Sequence, residues 1–176
     1  MPDMLEDKCE ILFASFMKIL KYLISKELVF ITMIFLIDRL TKIYVITKFD
    51  KDLSGNLFES KYLNFHLIWN EGIAFGLLSS SNDFFYNVLT IIIFLIIIVL
   101  IRMLINSTKL EKIALIFVIG GASGNFLDRI IYKSVPDFID LHYNNFHWFV
   151  FNVADIFVTI GVVLLIFNEI FYEKKI

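Results

Sequence analysis

Residues Phe84 to Ile101 read FFYNVLTIIIFLIIIVLI, eighteen positions without a charge that end in an unbroken apolar run from Ile91. A stretch of that length and character reads as a transmembrane helix, because a buried helix of a water-soluble domain rarely stays uncharged so long. Its β-branched content is no obstacle, since in lipid the backbone finds partners only within its own helix. Working outward, Phe149 to Asn168 is a second span with one charge, Asp155. Ile113 to Tyr132 is a third, uncharged until Asp128 and Arg129. Leu28 to Thr47 is the weakest, interrupted by Asp38, Arg39 and Lys42. The reading is an all-α membrane protein with four transmembrane helices and a small β-containing loop outside the membrane.

Composition agrees. Of 176 residues, 59% are hydrophobic, and the mean hydropathy is +0.78, well above the usual soluble domain. A net charge of −2 gives no reason to expect nucleic acid, and a single cysteine, Cys9, forms no internal disulfide. Lysine and arginine near the span ends set orientation: nine fall before the first span, between the second and third, and in the tail, against four in the remaining loops. Both termini are therefore expected in the cytoplasm, with loops 48–83 and 133–148 outside. Residues 1–26 read as a basic, amphipathic extension on the cytoplasmic leaflet rather than a cleaved signal, and 173–176 as a cytoplasmic tail, leaving 27–172 as one domain. In the first outer loop, Ser54-Gly55-Asn56 marks a turn and Lys61 to Trp69 a short strand.

Ionisable groups inside spans are costly and raise a functional hypothesis by default. Asp38 and Lys42 are four apart and share a helix face, either as an internal ion pair that lets a weak span insert or as substrate contacts. Gly120 and Gly124 allow another helix close, and Asn125 and Asp128 lie on that glycine-lined face. Asn152 and Asp155 repeat the Asn-then-Asp spacing on the last span. With the third span running outward and the fourth inward, Asp128 and Asp155 are expected at similar depth near the outer interface, facing each other. Two close carboxylates in a low dielectric do not both ionise, which suits peptide hydrolysis: one takes a proton from water and the other donates to the carbonyl oxygen. A proton relay in a small transporter uses the same groups, and a non-catalytic assembly protein is a third reading.

Other chemistry is poorly supported. Asp137 and Asp140 read as acids of a solvated turn. His142 and His147 are five apart near a turn, and His66 is distant, so no metal site is expected. The serines show no nucleophile elbow, and the glycines sit inside an apolar span, not in a phosphate loop.

Five segments in order carry a resemblance: Asp38 to Lys42 (DRLTK), Asn70 to Gly76 (NEGIAFG), Gly124 to Arg129 (GNFLDR), Val135 to Phe138 (VPDF) and Phe151 to Asp155 (FNVAD). Together they resemble bacterial lipoprotein signal peptidase (signal peptidase II), over about residues 27 to 168. Arg39 departs from the glutamine usual there. The resemblance implies an aspartic endopeptidase of the bacterial inner membrane, without metal or organic cofactor. Its partners would be membrane lipids and diacylglyceryl-modified prolipoproteins, cut just before the lipidated cysteine. By motif position it implies Asp128 and Asp155 as the catalytic pair, with Asp38, Lys42, Asn70, Asn125, Arg129 and Asn152 supporting or contacting substrate. The chain is expected to work as a monomer.

Overall fold

The computed structural model describes residues 25–50, 57–72, 83–144 and 146–172. The basic extension up to residue 24, the turn at 54–56, the second half of the Asn70 to Gly76 motif and the tail from 173 lie outside them. In chain order the elements are α1 (Lys26–Phe49), β1 (Phe58–Glu59), β2 (Leu63–Asn70), α2 (Asp83–Asn106), α3 (Lys109–Tyr132), β3 (Val135–Tyr143), β4 (Phe146–Phe151) and α4 (Val153–Tyr172).

Three helices are long and apolar enough to cross a membrane, over Tyr86–Asn106, Lys109–Tyr132 and Val153–Phe171. α1 falls short of that measure because Asp38, Arg39 and Lys42 interrupt it. Its layout is nonetheless inverted relative to a helix in water. Val29, Phe30, Met33, Leu36, Leu40, Ile43 and Tyr44 face outward, while Asp38 and Lys42 are buried.

α3 is the hub, packed most extensively on α4 and also against α1 and α2. Small residues make this possible. A Cβ on Gly120 would sit 2.8 Å from the Ile34 side chain of α1, and one on Gly121 would sit 2.5 Å from the Ala154 carbonyl oxygen of α4. Gly124 lies against the Asp38 carboxylate, so the glycine face approaches two neighbours at once. A Thr108–Glu111 capping box starts α3, and Lys133 ends it in a left-handed conformation with φ 55°.

The two loops expected outside the membrane contribute strands to one antiparallel sheet of order β1-β2-β3-β4. The strand expected near Lys61 to Trp69 is β2. The segment after α3 corrects the reading of a solvated turn: Val135 to Tyr143 is a strand between β2 and β4, with Asp137 4% exposed and Asp140 fully buried. The last helix also starts later than expected. Phe146 to Phe151 (FHWFVF) is aromatic and β-branched, pairs with β3, and leaves the helix to begin at Val153. Asp155 therefore lies in the first turn of α4, not two turns deep.

Candidate active site

Two groups of buried and half-buried polar side chains lie where α1, α3, α4 and the sheet meet. The first is built on α1 and α3. Lys42 Nζ donates to Asp128 Oδ2 at 2.7 Å and to Asn125 Oδ1 at 2.7 Å, and lies 3.0 Å from Asp38 Oδ1. Its three protons thus have three acceptors. Arg39 pairs with Asp128 Oδ1 at 2.6 Å and Asp38 Oδ2 at 3.1 Å. Asp38 Oδ1 also accepts from the Ala154 backbone N–H at 3.0 Å, so a carboxylate of α1 caps the start of α4. Two cations balance two anions, which is the condition under which buried charges are tolerated. The ion pair expected between Asp38 and Lys42 is present, within this larger cluster.

The second group lines a cavity of about 260 Å³. Asn70, Asn125, Arg129, Asp137 and Asp155 reach it, with Val135, Phe149, Phe151 and Val158 among its apolar walls. Asn152 holds the two acids in register. Its side chain donates to Asp137 Oδ1 at 2.6 Å, while its backbone N–H donates to Asp155 Oδ2 at 3.1 Å. The Asp155 N–H returns a bond to Asn152 Oδ1 at 3.1 Å, the reciprocal geometry of a capping box. Asn70 donates to Asp137 Oδ2 at 2.9 Å, and Asn125 to Asp155 Oδ1 at 2.8 Å. All four carboxylate oxygens therefore accept from neutral amides. Burial, with the negative charge of Asp155 second, pushes the Asp137 carboxyl up to about 6, against which the Asn70 and Asn152 bonds act.

Arg129 donates to the Asn125 carbonyl at 3.1 Å and to the Gly72 carbonyl at 3.2 Å, tying the site to the loop after β2. Asn125 joins the two groups: its oxygen faces Lys42 and its nitrogen faces Asp155.

The expected juxtaposition of Asp128 with Asp155 is not what the fold brings together. Both Asp128 oxygens are engaged by Arg39 and Lys42, and the link from Asp128 to Asp155 runs through Lys42 and Asn125. The acid that shares a cavity with Asp155 is Asp137, which the sequence reading set aside. The signal that identifies it was present in the Val135 to Phe138 motif, whose acid had no role assigned. A larger apolar groove of about 700 Å³ lies between α1 and the sheet, lined by Leu40, Tyr44, Val45, Phe58, Phe65 and Phe138 among others.

Residues 30–171 match the family model described as signal peptidase (SPase) II. A lipoprotein signal peptidase of Pelagibacter ubique is 49% identical over 149 residues, covering 85% of this chain and 90% of that protein. Its counterpart in Burkholderia thailandensis is 37% identical over 140 residues, covering 78% of this chain and 82% of its own length. A solved structure, described as a bacterial membrane enzyme determined by the in meso method at 2.3 Å resolution, superposes with a TM-score of 0.71 at 31% identity. It covers 86% of this chain and 93% of that one. With that similarity over most of its length and three helices apolar enough to span a bilayer, the chain belongs to the signal peptidase II family of membrane-embedded peptidases, which remove the signal peptides of prolipoproteins.

Proposed function

We propose that the chain is an aspartic endopeptidase that cuts diacylglyceryl-modified prolipoproteins just before the lipidated cysteine, with Asp137 and Asp155 as the working acids. The observation that carries this reading is Asn152, which holds both carboxylates at one cavity through its side chain and backbone. Their setting of neutral amides favours a shared proton. With no cation paired to either acid among the described residues, one carboxyl stays protonated while the other is ionised. The ionised member takes a proton from the attacking water as its oxygen bonds to the scissile carbonyl carbon. The protonated member donates to the carbonyl oxygen, giving a neutral tetrahedral diol. Collapse of that diol returns a proton to the departing amine and breaks the C–N bond.

Asn70, Asn125 and Asn152 position the acids. Arg129, at the edge of the cavity, offers a cation to the peptide backbone entering it. Asp38, Arg39, Lys42 and Asp128 hold the helices that carry these groups. α1 serves as a fourth span: at 24 residues it is about 36 Å long, enough for a bilayer core, and it turns apolar side chains outward. Lysine and arginine placement supports a cytoplasmic position for both termini and an outer-face position for the sheet at the inner membrane. A lipid-anchored substrate presents its scissile bond at that depth.

The test is the purified chain in detergent with a diacylglyceryl-modified prolipoprotein, comparing wild type with Asp137→Asn, Asp155→Asn and Asp128→Asn. Loss of cleavage in the first two, with cleavage persisting in folded Asp128→Asn, is expected. Normal cleavage by Asp137→Asn removes the assignment. A proton flux in liposomes without any cleavage product removes the peptidase reading.

A further inference from the structure

The chain has three histidines, and all of them converge on one buried carboxylate oxygen. Asp140 Oδ2 lies 2.8 Å from His147 Nδ1, 3.8 Å from His66 Nδ1 and 3.9 Å from His142 Nδ1. Sequence distance hid this grouping. His142 and His147, five apart along the chain, are direct cross-strand partners in the β3–β4 hairpin, and their rings stack at 5.0 Å. Asp140 and His142 alternate onto one face of β3. His66 comes from β2, where the pairing slips between Phe65 and Ile68. The β3–β4 pairing slips between Asp140 and His142, which adds a residue to β4 just after His147. Such bulges re-aim side chains.

Two polar atoms in the group have no hydrogen-bond partner although they are buried: Asp140 Oδ1 and His142 Nδ1. Asp140 is fully buried, while the His147 side chain is 56% exposed and leaves an approach from outside. We propose that Asp140, His142 and His147, with His66 as the fourth donor, bind one divalent transition-metal ion of the zinc class. Imidazole nitrogens with one carboxylate suit zinc, cobalt or nickel far better than calcium or magnesium. One ligand atom from each of Asp140, His142 and His147 already lies within 4.8 Å of the others. Tetrahedral zinc bonds of about 2.0–2.1 Å bring such atoms to roughly 3.3 Å of one another, a closure within reach of small side-chain rotations. Asp137, three residues before Asp140 on the same strand, alternates onto the opposite face, so this ion would sit apart from the acid pair.

The experiment uses the full chain in detergent, carrying an affinity tag free of histidine. Titration with Co²⁺ should give the visible band of tetrahedral cobalt, saturating at one ion per chain and bleached by added Zn²⁺. Equilibrium dialysis with Zn²⁺ should give the same stoichiometry. His147→Ala or His142→Ala should weaken Zn²⁺ binding at least about a hundredfold, and His66→Ala about tenfold. Asp137→Asn should leave it unchanged. The control for folding is thermal unfolding without metal, which gives the apo Tm of each variant; added Zn²⁺ should then raise Tm in the wild type and leave that of His147→Ala at its apo value. Failure of the wild type to bind Co²⁺ or Zn²⁺ overturns the proposal. So does binding that survives His147→Ala and His142→Ala at full strength.

Discussion

Asp38 and Asp128 on one side, and Asp137 and the half-buried Asp155 on the other, are two pairs of acids separated by a single carboxamide, Asn125. The first pair is surrounded by Arg39 and Lys42, so each carboxylate has a cation at hydrogen-bond distance. Among the described residues the second pair receives only neutral amides, from Asn70, Asn125, Asn152 and the Asn152 backbone. The first arrangement balances charge with charge, whereas the second, with no cation paired to it among the described residues, suits a carboxyl that carries a proton. Burial alone therefore does not mark a working acid. On the proposed assignment, what marks it is the kind of donor around it.

The comparison is broken most directly by exchanging a carboxyl for a carboxamide in each pair. Asp155→Asn and Asp137→Asn are each expected to lower prolipoprotein cleavage by about three to four orders of magnitude, since a lost acid or base forfeits that much. Quantifying cleaved lipidated substrate checks this. Lys42→Met should leave Asp38 and Asp128 short of a cation and cost about 3–5 kcal/mol of stability, as breaking a buried pair does. Denaturation in detergent measures it, and the double variant Lys42→Met/Asp128→Asn should recover part of the loss.

A third expectation concerns pH. The Asp137 carboxyl is raised from 3.8 to about 6 in the fold, so between those values the folded chain binds more protons than the unfolded one. Its contribution is present in full below pH 4 and is lost as pH rises through about 6, by about 3 kcal/mol in all. Asp137→Asn should lack that slope, visible as a difference between the two unfolding-versus-pH curves. The smallest effect is steric. Gly121→Ala places a methyl 2.5 Å from the Ala154 carbonyl oxygen and pushes α3 from α4. A loss of about 1–3 kcal/mol is expected, with cleavage reduced because the glycine face aligns the two halves of the site.

Much of this was legible in the sequence, and the boundary of what was legible has a physical cause. Helical spacing reveals partners three or four residues apart on one face, so the Asn125–Asp128 and Asn152–Asp155 groupings, the glycine contact of α3 and the three apolar spans could all be read. It does not reveal what sits across from a face. Asp128 looked like half of an acid pair because Arg39 and Lys42, more than eighty positions away, were not seen to reach it. Asp137 looked solvated because a proline-led segment between two spans resembles a loop. Its burial depends on β2 and β4 flanking it, a register that involves residues from two loops far apart in the chain. The same blindness to cross-strand pairing concealed the histidine cluster, since five residues is an unpromising ligand spacing on a helix and a direct contact across a hairpin.

The cap that Asp38 places on Ala154 bears on when the protein becomes an enzyme during its own synthesis. The first turn of α4 carries Asp155 and follows directly on Asn152, and it draws its cap from the first helix of the bundle. A nascent chain that stops before α4 lacks Asp155, one of the two proposed acids. A chain whose α1 is misplaced leaves the last helix without its cap. On the proposed acid pair, proteolytic competence would wait until α4 docks against α1.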